Sequence, residues 1–170
     1  ALPIQATAQE QMRRGSSNEQ LIDDELRESV RRGLDWLQAH QDKDGSWHEI
    51  VGSKLNTDYE ALDSRPQPNV GVTALALVSF KPEAAHSRPQ VDSLAGGHLP
   101  DRGKYGDVLH KGIDFILSCS QDDGQLTANG TRMYSHAFAT LFLAEVYGMV
   151  ERADVKKTLQ RSVDLIVDSQ

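Results

Sequence analysis

The sequence predicts an all-α fold made of repeated helix pairs. Helices with one apolar stripe alternate with helices that are apolar nearly all round. Each one-sided helix that is followed by more chain runs into an acidic turn containing glycine. The stretch from Arg32 to Trp47, which joins a helix, a Gln and such a turn, recurs in part further along the chain.

Composition fits this class and excludes others. The chain has 170 residues, 38% hydrophobic and 25% charged, which suffices for one domain with a core. Its 18 basic against 25 acidic residues give a formal net charge of -7 with no basic block, so nucleic acid is not expected as a partner. The apolar run from Ala137 to Met149 is broken by Thr140 and Glu145 and falls short of the roughly 20 residues that cross a bilayer. A single cysteine, Cys119, leaves no disulfide framework and no multi-cysteine zinc site.

Residues 1–22 read as a poorly ordered leader or linker, too polar to offset the entropy of ordering. Ala6-Thr7-Ala8 is the small-x-small pattern of a signal-peptidase site without an apolar segment before it, so an exported or periplasmic location and a cytoplasmic one both stay open. Residues 23–170 form the helical part. Leu26, Val30, Leu34 and Leu37 lie on one face of a first helix ending near His40, with Asp23 and Asp24 at its N-terminus. Gln41 to Trp47 is a turn, and His48 to Pro68 a polar loop. Asn69 caps an apolar helix that Pro82 stops, and an irregular insertion occupies 81–106.

The second half repeats the pattern. Leu109, Ile113 and Ile116 stripe a helix from Asp107 to Ser120, followed by the turn at Gln121 to Leu126. Met133 to Met149 is apolar nearly all round. Asp154 caps a last one-sided helix with Val155, Leu159, Val163 and Ile166. Aligned on their basic residues, the copies begin at Arg32, Lys111 and Arg161; Gln121 matches Gln41 if the middle copy holds one extra residue. Two layers satisfy such a pattern, with one-sided helices outside and apolar helices beneath.

Arg32, Gly33, Trp36, Leu37, Gln41, Gly45 and Trp47 match, at the right spacing, the repeat motif of squalene cyclases. The chain resembles the terpenoid cyclase and protein prenyltransferase-like superfamily, and Tyr134 to Met149 is similar to a stretch in bacterial prenyltransferase and squalene-oxidase-repeat proteins. The resemblance covers roughly Glu25 to Gln170. It implies part of an α/α toroid of outer and inner helices, with the remaining repeats of the protein packing on it. It implies a structural role for Arg32, Gly33, Trp36, Gln41, Gly45, Trp47, Gln121 and Gly124: the glutamine bonds backbone at a neighbouring helix end, and the tryptophan stacks nearby. The middle copy departs from the motif, with Leu126 at the Trp position.

The family's chemistry is harder to place. Leu117 stands where the prenyltransferase Asp-x-Cys pattern needs Asp, Gln121-Asp122-Asp123 does not match the cyclase acid motif Asp-x-Asp-Asp, and no Cys-Gly-Glu-Gln thioester occurs. Asp42-Lys43-Asp44-Gly45 opens like a calcium loop but has Ser53 where an EF-hand needs Glu. No metal site, cofactor or catalytic residue is therefore assigned.

His136, Thr140, Leu143 and Tyr147 share a face of the second apolar helix. If that face lines a cavity, Tyr134, His136 and Thr140 contact a ligand; otherwise His136 is hydrogen-bonded between helices. Glu145 lies on the Tyr134, Phe138, Leu141 face, and Asn69 and Thr73 open the first apolar helix. Two functions remain: binding of an apolar or isoprenoid-like ligand in a toroid cavity, with or without turnover, or a non-catalytic exported module for a peptide, glycan or lipid.

Overall fold

The computed structural model describes residues 24–50, 65–80 and 103–170. The expected leader at 1–22, Asp23 and the part of the insertion at 81–102 lie outside them. Among the described residues there are five helices: α1 over 24–39, α2 (Val70–Val78), α3 (Gly106–Ser118), α4 (Met133–Tyr147) and α5 (Ala153–Asp168).

Residues 51–64 of the polar loop expected at His48 to Pro68 lie outside those described, and its two described ends pair with each other. His48–Glu49 (β1) pairs antiparallel with Gln67–Pro68 (β2), His48 opposite Pro68 and Glu49 opposite Gln67. This ribbon returns the chain to Asn69, whose N–H donates to the Trp47 carbonyl at 3.0 Å. Asn69 then caps α2, its Oδ1 accepting from Gly71 N at 2.9 Å and Val72 N at 3.1 Å. Asp154 does not cap α5 in this way. Arg152 holds the N-cap position, and Asp154 sits in the first turn, accepting from Val155 N and pairing with Arg152.

The helices form two layers. α2 and α4 pack side by side, α3 packs on α2, and α5 packs on α4 and α3. A Cβ on Gly71 would stand 2.7 Å from Ser135 Oγ and 3.0 Å from Ser135 Cα, so the glycine sets the close approach of α2 to α4. α1 joins the outer layer through Asp35, which accepts from Tyr105 Oη at 2.6 Å and also pairs with Lys104. Hydrogen bonds from Lys104 and Tyr105 hold the Asp35 carboxyl below the usual range. Between the layers lie Leu34, Trp47, Leu77, Phe80, Tyr105, Leu109, Ile113, Ile116, Phe142 and Leu143, all buried. Phe80 meets Tyr105 edge-on at 5.1 Å and Trp47 at 6.2 Å.

The glycine turns link successive outer helices. Gly45 has φ 89° and Gly124 φ 92°. A Cβ on Gly45 would run into the Lys111 carbonyl of α3, and one on Gly124 would stand 2.5 Å from the Arg161 carbonyl of α5. Their backbone bonds correspond: Asp42 N to Ser46 O and Gly45 N to Asp42 O in the first, Gln121 N to Gln125 O and Gly124 N to Gln121 O in the second. Gln121 therefore occupies the place of Asp42, and Ser120 that of Gln41. The middle copy needs no extra residue, and the alignment that matched Gln121 to Gln41 is corrected by one position.

The glycines of the repeated motif differ in what they require. A Cβ on Gly33 would meet nothing within 4 Å, whereas one on Gly112, at the same place in α3, would strike the Leu77 side chain. Gly45→Ala should lower the unfolding free energy by more than about 2 kcal/mol, since a left-handed alanine costs roughly 1–2 kcal/mol before the clash with Lys111 is added. Gly33→Ala should raise it by roughly 0.5–1 kcal/mol through helix propensity. Urea unfolding of the two variants measures both; equal effects would refute the assignment of the turn contact to Gly45.

Candidate functional site

The residues at the start of each inner helix are occupied with backbone. In the first pair, Trp47 N donates to Thr73 Oγ1 at 2.9 Å. In the second, Leu126 N, in Trp47's place, donates to His136 Nδ1 at 3.0 Å. His136 is fully buried, and its Nε2 lies 3.2 Å from the Ser162 carbonyl of α5. Because Nδ1 accepts, the proton of the neutral ring is on Nε2 and is donated to Ser162. Ser162 Oγ in turn donates to Gly124 O at 3.0 Å. His136 is thus a staple between the second turn and the third outer helix, and burial holds its pKa below the ordinary histidine value.

The sequence-selected contacts do not converge. Thr140 is buried and donates to the His136 carbonyl of its own helix at 2.8 Å. Asn69 is engaged as a cap and Thr73 as an acceptor. Tyr134 is 84% exposed, and Glu145 is half-buried. The face carrying His136, Thr140 and Leu143 therefore packs into the protein, with Tyr147 exposed at its far end, and does not line an opening.

The open face of α4 is the other one. Tyr134, Phe138 and Leu141 are exposed at spacings of four and three, with the exposed small residues Ala137 and Ala144 beside them. Leu75 is exposed on the adjacent α2. A depression of about 410 Å³ is lined by Asp24, Glu25, Glu28, Ser29 and Arg32, all on α1 and four of them charged, so it belongs to that helix and not to the inner pair.

The repeat-motif residues sit as follows. Gln41 Nε2 donates to Gly45 O at 3.0 Å and to Val108 O of α3 at 2.9 Å. Trp47 is buried and donates from Nε1 to Leu37 O at 3.1 Å. Gln121 makes a long contact of 3.4 Å from Nε2 to Cys119 O. Arg32 is exposed and donates to Ser29 Oγ at 3.1 Å. Trp36 is exposed and stacked on His40 at 3.9 Å between ring centroids. Sequence reasoning aligned Arg161 with Arg32 but gave it no contact; its Nη2 donates to the Gln121 carbonyl at 3.0 Å and to that of Asp122. Its place as the third copy of Arg32 was the available signal.

Cys119 is buried, which pushes its thiol pKa up and keeps it protonated. Among the described residues no group of three His, Cys, Asp or Glu side chains is placed to hold a metal ion, and no helix is long and apolar enough to cross a membrane. No protein-family model, no curated protein and no solved structure matches the chain.

The His136 staple has a pH signature. A base whose folded pKa is depressed stabilises fully above its unfolded pKa, about 6.5, and loses that contribution as pH falls below it. Stability should therefore be level above about pH 6.5 and fall towards pH 5.5, because the unfolded chain takes up the proton first. His136→Asn, which keeps an acceptor for Leu126 N–H but cannot titrate, should lose that part of the slope while costing about 1–3 kcal/mol at pH 7.5 for the lost Ser162 bond. Urea midpoints of both proteins at pH 7.5 and 5.5 decide it; parallel slopes would contradict a buried neutral His136.

Proposed function

We propose that this chain is part of an α/α-toroid protein of the squalene-cyclase and prenyltransferase repeat type, and that the open face of α4 holds an apolar or isoprenoid-like ligand. The observation that carries the reading is that an inner helix has an apolar face on each side. His136, Ala139, Thr140, Phe142, Leu143 and Val146 are buried, while Tyr134, Phe138 and Leu141 remain exposed. A helix whose second face is apolar and uncovered presents a binding surface. The outer-inner alternation of α1 to α5 and the two equivalent glycine turns support the toroid repeat.

The role proposed is binding. Full burial of one large apolar side chain is worth about 1.5–3 kcal/mol, so covering the exposed parts of Tyr134, Phe138 and Leu141 supplies a few kcal/mol towards a ligand without a charged anchor. Such a surface selects for hydrocarbon shape and length.

Titration with farnesol, in competition with an apolar fluorescent dye, tests this. The chain should bind the dye, farnesol should displace it, and Leu141→Glu should weaken both at least tenfold. Leu141 is exposed, so this change should leave the helical circular dichroism and the unfolding free energy within roughly 0.5 kcal/mol of the parent. Absence of farnesol binding, or binding indifferent to Leu141→Glu, would exclude the α4 face.

A further inference from the structure

The turn register defines which residues of the three outer helices are equivalent, and one of the three stands uncovered. Gly45 corresponds to Gly124, which sets α1 against α3 at 79 positions; Gly45 meets Lys111 as Gly124 meets Arg161, which sets α3 against α5 at 50. Leu26, Val30, Gly33 and Trp36 of α1 thus correspond to Tyr105 at the N-cap of α3 and to Leu109, Gly112 and Phe115 within it. Leu26, Val30 and Trp36 are 54%, 38% and 58% exposed, while Tyr105, Leu109 and Phe115 are 2%, 1% and 8%. In α5 the corresponding Val155 and Ser162 are fully buried, and Leu159 and Leu165 half-buried.

What covers α3 and α5 is known from the same structure. Each receives the glycine turn and the inner helix of the pair before it. On α3, the turn at Gly45 abuts the Lys111 carbonyl, Gln41 reaches Val108 O, and Leu77 of α2 fills the space left by Gly112. On α5, the turn at Gly124 abuts the Arg161 carbonyl, Arg161 donates to two turn carbonyls, and His136 of α4 bonds Ser162 O. On α1 the counterpart positions are present, and among the described residues no turn or inner helix covers them. Arg32 stands where Arg161 does, and Gly33 keeps the open space that Gly112 gives to a leucine.

The geometry points to the Leu26, Val30, Gly33, Trp36 face of α1 as a docking surface for one more turn-and-helix unit of this design, an acidic glycine turn leading into an apolar helix. Arg32 donates to the carbonyls of the incoming turn, the Arg32 carbonyl lies against its glycine, and Leu26, Val30 and Trp36 pack on the helix that follows. This surface is separate from the ligand face of α4, and it stands or falls independently of it.

The test uses the chain extended at its N-terminus by an added copy of its own residues 120–149, beside a chain extended by the same residues in scrambled order. Tethering supplies the unit at high effective concentration, so weak intrinsic affinity does not hide docking. The added segment contains no tryptophan, and Trp47 is buried, so acrylamide quenching reports on Trp36. Quenching should fall at least twofold in the native-order extension relative to the scrambled one. Gly33→Leu should restore it in the extended chain, while leaving the thermal midpoint of the unextended chain unchanged or higher, since the added side chain enters open space. Equal quenching in the two extended chains, or protection that survives Gly33→Leu, overturns the assignment.

Discussion

The outer helices α3 and α5 are each held by the glycine turn that precedes them, and the remaining packing depends on that contact. A backbone turn can approach a helix carbonyl this closely only where no Cβ intervenes, and a φ near +90° is strained for any residue that has one. The two turns meet this constraint in the same way but tie it differently. In the first, the turn supplies the donor, Gln41 bridging Gly45 O and Val108 O. In the second, the helix supplies it, with Arg161 reaching the carbonyls of Gln121 and Asp122 and Ser162 reaching Gly124 O. Ser120 occupies the Gln41 position but is too short for the bridge, and its Oγ is buried without a hydrogen-bond partner among the described residues.

The inner helices complete the joint from beneath. The amide after each turn points into the core and must find an acceptor, and a residue in the first turns of the inner helix provides it. Thr73 satisfies that one amide. His136 has a second ring nitrogen and so also reaches the Ser162 carbonyl, adding a tie from α4 to α5. The polar side chains that would be conspicuous in a binding site are thereby committed to backbone. Titratable character at His136 reports on folding and has little to offer a ligand.

Much of the architecture was legible in the sequence, because helix pairs announce themselves by periodicity and turn chemistry. The Asn69 cap, the stripes with Leu34 and Ile113 at their centres, and the alternation of one-sided and apolar helices all follow from local rules. Direction was not legible. α4 is apolar on both sides, so its period could not say whether the His136 face or the Tyr134 face would be covered. The register of the second turn was obscured because Gln121 lies next to the true Gln41 equivalent and only the backbone bonds separate them. The pairing of His48–Glu49 with Gln67–Pro68 is too short to leave an alternating pattern. Leu26 and Val30 share the stripe of Leu34 yet stay exposed, since a stripe shows only that a helix seeks cover.

Among the described residues, the apolar surfaces proposed as a docking face on α1 and a ligand face on α4 differ in chemistry. On α1, the exposed side chains surround a basic residue and a glycine, and the copies of those two positions engage peptide carbonyls and a closely packed helix elsewhere in the same chain. Arginine donors aimed at backbone acceptors and a missing Cβ are features that read polypeptide, because a hydrocarbon gains nothing from either. On α4, Tyr134, Phe138 and Leu141 are flanked by the small Ala137 and Ala144, an apolar stripe along about two helical turns with smooth gaps between its large residues. A surface of that kind rewards an extended apolar molecule by area alone. The division follows from the repeat itself: outer helices carry the joints between units, and the inner helix α4, once its N-terminal polar groups are spent on those joints, is left with a largely apolar face that ends near the half-buried Glu145.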